Sequence, residues 1–194
     1  MKLGKRGLDI LCGSLMLLLC LPFGLLIALL VKLDSPGPVL FRQQRIGLAG
    51  QPFQIFKFRT MHVLEDGGAV VQATRGDPRV TRLGRLLRKF GLDELPQLLN
   101  VLAGDMSLVG PRPHAVLHAD YYGGRITNYA YRHHVRPGIT GWAQINGARG
   151  ATPTLTDMQA RIDLDRWYVD HGSLAIDLVI LARTPMEVLR GHSD

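Results

Sequence analysis

The longest unbroken pattern in the chain is apolar: from Ile10 to Val31 no position carries a charge. About 20 consecutive apolar residues let a helix cross the hydrocarbon of a bilayer, so this stretch predicts a membrane helix. It is long for a signal-peptide core, and the Asp34-Ser35-Pro36-Gly37-Pro38 cluster after it is a poor cleavage site. Two topologies remain, a straight span and a re-entrant hairpin. Pro22, with Gly24 nearby, predicts a break near the middle of the run, because proline removes a backbone donor and crowds the preceding turn. Lys2, Lys5 and Arg6 precede the run, and Lys32, Arg42 and Arg45 follow it. Basic flanks mark the cytoplasmic side, so both ends are expected on one face. Residues 1–33 are therefore read as a re-entrant helix, and 34–194 as a domain forming one unit with it.

Beyond the apolar run the period shortens. Val39–Gln43 and Phe53–Arg59 are strand-like, the second alternating apolar and polar, with Gly47 and Gly50 between them; this predicts a small β-hairpin. Lys57 and Arg59 fall on one face of the second strand, which is either a solvated face or a surface for an anion. Glu65–Asp77 is rich in glycine and polar residues and predicts a mobile loop. Arg79, Arg82, Arg85 and Arg88 then recur every three residues opposite Leu83, Leu86, Leu87 and Phe90. That is an amphipathic helix with a cationic stripe, suited to anionic lipid or to phosphate, and Gly91 stops it. Met158–Leu189 predicts two helices, the second amphipathic and able to rest on a membrane interface. The expected fold is α+β and mostly helical: a monotopic membrane protein with a re-entrant helix, a β-hairpin and interfacial helices.

Composition adds a partner class. The chain of 194 residues has a formal net charge of +7, which implies an anionic partner without choosing among nucleic acid, anionic lipid and phosphorylated substrate. Its two cysteines, Cys12 and Cys20, both lie in the apolar run, so neither a disulfide framework nor a zinc site is present.

The candidate chemistry centres on Gly91-Leu92-Asp93-Glu94-Leu95-Pro96-Gln97, where two adjacent acids follow the arginine row. Asp93 fits the N-cap of a helix running to about Leu102, with Pro96 in its first turn. A helix N-terminus also favours a phosphate, and neighbouring arginines favour an ionised, nucleophilic carboxylate. Further on, Pro111 and Pro113 fix the backbone around Arg112. A pinned guanidinium is a good phosphate clamp, although a turn burying an ion pair has the same sequence. Arg136-Pro137-Gly138-Ile139-Thr140-Gly141-Trp142 forms a second punctuated loop, and Arg136 joins the phosphate-binding candidates. Neither a P-loop nor a dinucleotide-binding glycine motif occurs. His114, His118, His133 and His134 are read as surface or structural residues.

Taken in order, these stretches resemble one family, the bacterial sugar transferases that start glycan assembly on polyprenyl phosphate (monotopic phosphoglycosyl transferases). The resemblance rests on Lys5-Arg6, Ser35-Pro36-Gly37-Pro38, Lys57-Phe58-Arg59-Thr60-Met61, Leu92–Gln97, Gly104-Asp105-Met106-Ser107, Gly110-Pro111-Arg112-Pro113 and Arg136–Trp142. It is to the small, catalytic-domain-only form. It implies transfer of a sugar 1-phosphate from a nucleoside diphosphate sugar, usually a UDP-sugar, to polyprenyl phosphate. The scheme is ping-pong, with a phosphosugar carried on Asp93. Glu94 would assist in acid–base chemistry or in binding Mg²⁺, the implied cofactor, held at Asp93 and Glu94. Arg112 would bind phosphate, with Arg85, Arg88, Lys57, Arg59 and Arg136 around it. Pro22 matches the family's helix break, although Leu21 stands where a serine often precedes that proline. The implied location is the cytoplasmic face of the bacterial inner membrane. The implied partners are a lipid and a nucleotide sugar rather than nucleic acid, with a homo-oligomer left open. The competing expectations are a non-enzymatic, membrane-anchored basic protein that binds anionic lipid or nucleic acid, and a relative that hydrolyses sugar nucleotides.

Overall fold

A computed structural model describes residues 3–62 and 76–190. Helix α1, Leu3–Asp34, holds the whole apolar run. By length and composition it could cross a membrane, and only 11% of its most apolar window is buried. Pro22 lies inside the helix, with helical residues on both sides of it. Proline costs the helix one internal hydrogen bond. Contacts on both sides of Pro22 hold the helix together nonetheless. On one side Asp9 is buried, and Cys12 and Leu17 pack on the main core; on the other, Ile27 and Val31 belong to a second core with Phe58 and Leu87.

The charges in the first turns of α1 are built into the body. Lys5 donates to the Val109 carbonyl at 3.0 Å and pairs with Asp177 at 2.7 Å. Arg6 donates to the carbonyls of Val101 and Leu102, at 2.6 and 2.9 Å. Asp9 accepts from Ser107 Oγ and the Leu108 amide, both at 2.9 Å.

The predicted hairpin forms from β1, Leu40–Ile46, and β2, Pro52–Phe58, antiparallel with Phe41 opposite Lys57. The expected mobile loop lies outside the described residues except for Gly76 and Asp77. Helix α2, Arg82–Phe90, is capped by Thr81, whose side chain accepts from the Gly84 amide. Arg79 lies outside the helix and pairs instead with Asp77 at 2.7 Å. Leu87 is buried, whereas Leu86 and Phe90 are exposed, so the apolar face of α2 is only partly used in the body. Gly91 ends the helix as predicted, at φ 67°, a left-handed conformation that costs glycine little.

Two segments read as loops carry strands. β3, Ser107–Val109, and β4, Gly138–Thr140, pair in parallel, Ser107 opposite Gly138 and Val109 opposite Thr140. Helix α3, Gln97–Ala103, precedes β3, and α4, Val116–Gly123, follows it. After β4 come α5, Trp142–Ile145, then α6, Leu155–His171, and α7, Leu174–Leu189, the two predicted C-terminal helices. The main core joins Ile55, Leu98, Val101, Met106, Val109, Ile145 and Ile180, and thus both small sheets, α3, α5 and α7. The fold is α+β and mostly helical, with a long apolar N-terminal helix and a small antiparallel hairpin.

Candidate active site

Asp93 does not cap a helix. It sits in a 3-10 turn, Leu92–Glu94, and the N-cap of α3 is Pro96, with no side-chain bond. Leu95 and Pro96 keep right-handed helical angles, so the chain coils from the turn into α3 without the extended residue a cap requires. The tight turn sends the two carboxyls into different surroundings. Both are shielded from water, but only Glu94 is engaged.

Glu94 Oε1 accepts from Lys57 Nζ at 2.7 Å and from Arg112 Nη2 at 2.5 Å, and its Oε2 accepts from Arg112 Nη1 at 3.1 Å. Burial alone would raise the Glu94 pKa. The charges of Arg112 and Lys57, with their hydrogen bonds, outweigh it and hold the carboxyl well below the usual range. Lys57 is pushed down, chiefly by burial. No hydrogen bond from another described residue reaches the Asp93 carboxyl. Its burial raises the pKa; Lys57 opposes, Glu94 adds to the rise, and Arg88 and Arg112 oppose. The sequence expectation that nearby arginines keep Asp93 ionised is therefore corrected: desolvation outweighs the cations at Asp93, whereas at Glu94 Arg112 and Lys57 together outweigh it.

Three features aim these groups. Asn100, fully buried in α3, accepts from the Phe56 amide at 3.0 Å and donates to the Gln54 carbonyl at 2.7 Å, tying α3 to the open edge of β2. That fixes Lys57 opposite the turn. The stretch 111–114 is held by its carbonyls. The Gly138 amide reaches Pro111 (2.9 Å), Arg132 Nη2 reaches Arg112 (2.5 Å), and the Ile46 amide reaches His114 (3.0 Å). Arg112 is therefore pinned, as its flanking prolines predict, and it grips a protein carboxylate. Finally, Arg88 Nε donates to Thr60 Oγ1 at 2.9 Å, bringing the end of α2 beside the turn.

The other predicted cations lie elsewhere. Arg59 is buried and donates to the carbonyls of Val31 (3.2 Å), Ser35 (2.5 Å) and Pro36 (2.8 Å). It closes the C-terminus of α1, where a helix leaves carbonyls unpaired and a cation is favoured. Arg136 donates to the Gly104 carbonyl at 2.6 Å, just past the end of α3. Arg85 is exposed on α2. Pro22 lies within α1, away from the carboxyls in role. Conversely, Arg149, which the sequence reading passed over, feels the charges of both Glu94 and Asp93. It lines a cleft of about 160 Å³ with Glu94. Its flanking glycines, Gly147 and Gly150, were the available signal. Among the described residues no three His, Cys, Asp or Glu side chains gather as a metal site.

A mostly helical body that carries a long apolar helix and sets a buried and a half-buried acid among basic groups suits a phosphate-handling class of protein. The family model for bacterial sugar transferases matches residues 1–191, and the chain belongs to that family. It is 58% identical over 187 residues to a UDP-glucose:undecaprenyl-phosphate glucose-1-phosphate transferase of Caulobacter vibrioides, covering 96% of this chain and 70% of that protein. A protein of the same description from Escherichia coli is 53% identical over 183 residues, 94% of this chain and 39% of its own length. The exopolysaccharide production protein PSS of Rhizobium leguminosarum is 46% identical over 192 residues, with 96% of each chain covered.

Proposed function

We propose that this protein transfers glucose 1-phosphate from UDP-glucose to undecaprenyl phosphate, with Asp93 as nucleophile. The single observation that carries the site assignment is the asymmetry of the dyad: Glu94 is fully committed to Lys57 and Arg112, while the buried Asp93 carboxyl beside it has no such engagement. The choice of substrates rests on the Caulobacter and Escherichia coli relatives.

An Asp93 oxygen attacks the β-phosphorus of UDP-glucose. The bond from that phosphorus to the bridging oxygen breaks, and UMP leaves with the electron pair. An oxygen of undecaprenyl phosphate then attacks the same phosphorus and expels the Asp93 carboxylate, giving undecaprenyl diphosphate glucose. A desolvated carboxylate is the more reactive for lacking a hydration shell, and Lys57, Arg88 and Arg112 surround it with positive charge to offset the charge of the diphosphate. Glu94 acts as a positioning residue, because its low pKa and occupied oxygens suit it to holding two cations rather than exchanging protons. Mg²⁺ fits this donor set through Asp93 and the phosphates of the substrate, since Mg²⁺ takes one or two carboxylates and completes its shell with phosphate and water. When bound it would supply further charge neutralisation.

We also place α1 in the membrane face without a full crossing, both ends on the cytoplasmic side of the inner membrane. Its contacts with the body at Lys5, Arg6 and Asp9 and again at Ile27 and Val31 support this. Exposed Leu86 and Phe90 on α2, with Leu178, Val179 and Met186 on α7, supply further apolar surface for an interface.

The test uses UDP-glucose labelled at the β-phosphate. Acid-quenched wild-type protein should retain label when acceptor is omitted; Asp93→Asn should retain none and turn over at least about a thousandfold more slowly. Near-wild-type transfer by Asp93→Asn would refute the nucleophile assignment. Equal UMP release with and without undecaprenyl phosphate would make the protein a hydrolase.

A further inference from the structure

The cleft beside the dyad is lined by a few charged and polar side chains and a larger apolar set. Glu94, Arg149 and Glu187 are its charged lining, with Thr140, Gln144 and Thr184 also polar. Met16 of α1, Phe90 of α2, Leu98 of α3, Ile139 of β4, Ile145 of α5 and Val188 of α7 supply apolar wall. Met16 and Phe90 are exposed, so the wall runs out onto the apolar surface of α1 and α2.

The charges in the cleft are unevenly paired. Glu94 is held by Lys57 and Arg112, and Glu187 pairs with Arg190 at 2.8 Å. Arg149 is half-buried and makes no hydrogen bond or ion pair with another described residue. It faces the charges of Arg112, Glu94, Asp93 and Glu187, and burial lowers its pKa. The backbone that carries it is nevertheless held in place. Arg161, buried in α6, donates from Nε to the Ala148 carbonyl at 3.1 Å and from Nη2 to the Gly150 carbonyl at 2.6 Å, gripping the chain on either side of Arg149. On the opposite side Arg149 lies against Gly91, where an added Cβ would stand 3.4 Å from Nη2. Gly91 is two residues before the nucleophile.

A half-buried guanidinium with no hydrogen-bond partner among the described residues, in a cleft lined largely by apolar side chains, matches a phosphate attached to a hydrocarbon chain. We propose that the cleft is the acceptor subsite: Arg149 binds the phosphate of the polyprenyl phosphate, and the first isoprene units lie along the wall from Leu98 to Met16 and Phe90. A sugar nucleotide is polar throughout and would waste that wall. The proposal rests on the transferase reading above for the identity of the lipid, while the position of the anion rests on the cleft itself. Arg161 is a positioning residue, acting through the loop it holds.

The experiment compares wild type, Arg149→Ala, Arg149→Lys and Val188→Trp, purified in detergent, by UMP release with each substrate varied in turn. In Arg149→Ala the KM for undecaprenyl phosphate should rise about ten- to hundredfold, the range for one lost charge-assisted hydrogen bond. The KM for UDP-glucose should stay within about twofold, the midpoint of thermal unfolding should be unchanged, and Arg149→Lys should recover part of the loss. Val188→Trp narrows the apolar part of the cleft and should raise the acceptor KM alone. An unchanged acceptor KM in Arg149→Ala, or a rise confined to UDP-glucose, overturns the proposal. A parallel arm measures retention of ³²P-labelled farnesyl phosphate on the same proteins without turnover. Loss of retention in Arg149→Ala supports the subsite even if no UMP is released by wild type, in which case it is the transferase reading that fails; equal retention by wild type and Arg149→Ala overturns the subsite.

Discussion

At Asp93, burial and charge pull in opposite directions, and burial prevails. An acid whose pKa is raised by folding binds more protons folded than unfolded between its ordinary value and its raised one. In that window stability falls as pH rises, and at neutral pH the ionised side chain is a net cost to the fold. Asp93→Asn removes the ionisation. The variant should therefore unfold at a higher temperature than wild type at pH 7.5, while the two should converge as the pH approaches 3.8, the ordinary aspartate value. Thermal scans at both pH values check this, and a lower midpoint for the variant at pH 7.5 would contradict the direction of the shift. This opposition between chemistry and stability could not be read in the sequence. Adjacent acids after a row of arginines announce a charged site, but which acid the cations hold depends on Lys57 and Arg112, far from the dyad in sequence yet bonded to Glu94. Arg59 shows the reverse. Its spacing from Lys57 allows a solvated face or a shared anion, but its guanidinium instead meets the carbonyls at the end of α1.

The elements legible in advance were those whose period repeats: the apolar helix, the β-hairpin, the arginine-striped helix and the two C-terminal helices. β3 and β4 were not, because three-residue strands show no alternation and their parallel partners lie about 30 residues apart in sequence. Close packing between elements was equally hidden. Gly84 of α2 lies so near the backbone of Thr60 that an added Cβ would come within 2.2 Å of its carbonyl oxygen. Gly84→Ala should force α2 off the strand exit, costing about 1–3 kcal/mol and loosening the Arg88–Thr60 bond with it. A lowered unfolding midpoint together with reduced transfer is the expected result. Unchanged values for both would show that α2 docks less tightly than its contacts indicate.

For the whole molecule, the decisive feature is that α1 is tied to the body on both sides of Pro22. A helix of 32 residues is about 48 Å long, more than a bilayer core is thick, yet residues near both its ends meet the same body. In a background without Cys12 and Cys20, Gly7→Cys and Asp34→Cys should both escape a reagent that cannot pass the inner membrane, and both should react once that membrane is permeabilised. Labelling of the first site alone in intact cells would establish a straight span. The sequence located the helix and the basic flanks; it could not show that Lys5 and Arg6 serve as fasteners to α7 and α3 as well as topological marks. The burial of Asp9 against Ser107 and Leu108 also bears on how the protein is made. The catalytic body has no finished surface beneath α1: without that helix the amide of Leu108 loses its acceptor, and Phe58 and Leu87 lose Ile27 and Val31. The body therefore cannot mature first and take up α1 afterwards as an accessory: the N-terminal helix and the catalytic body complete one fold together.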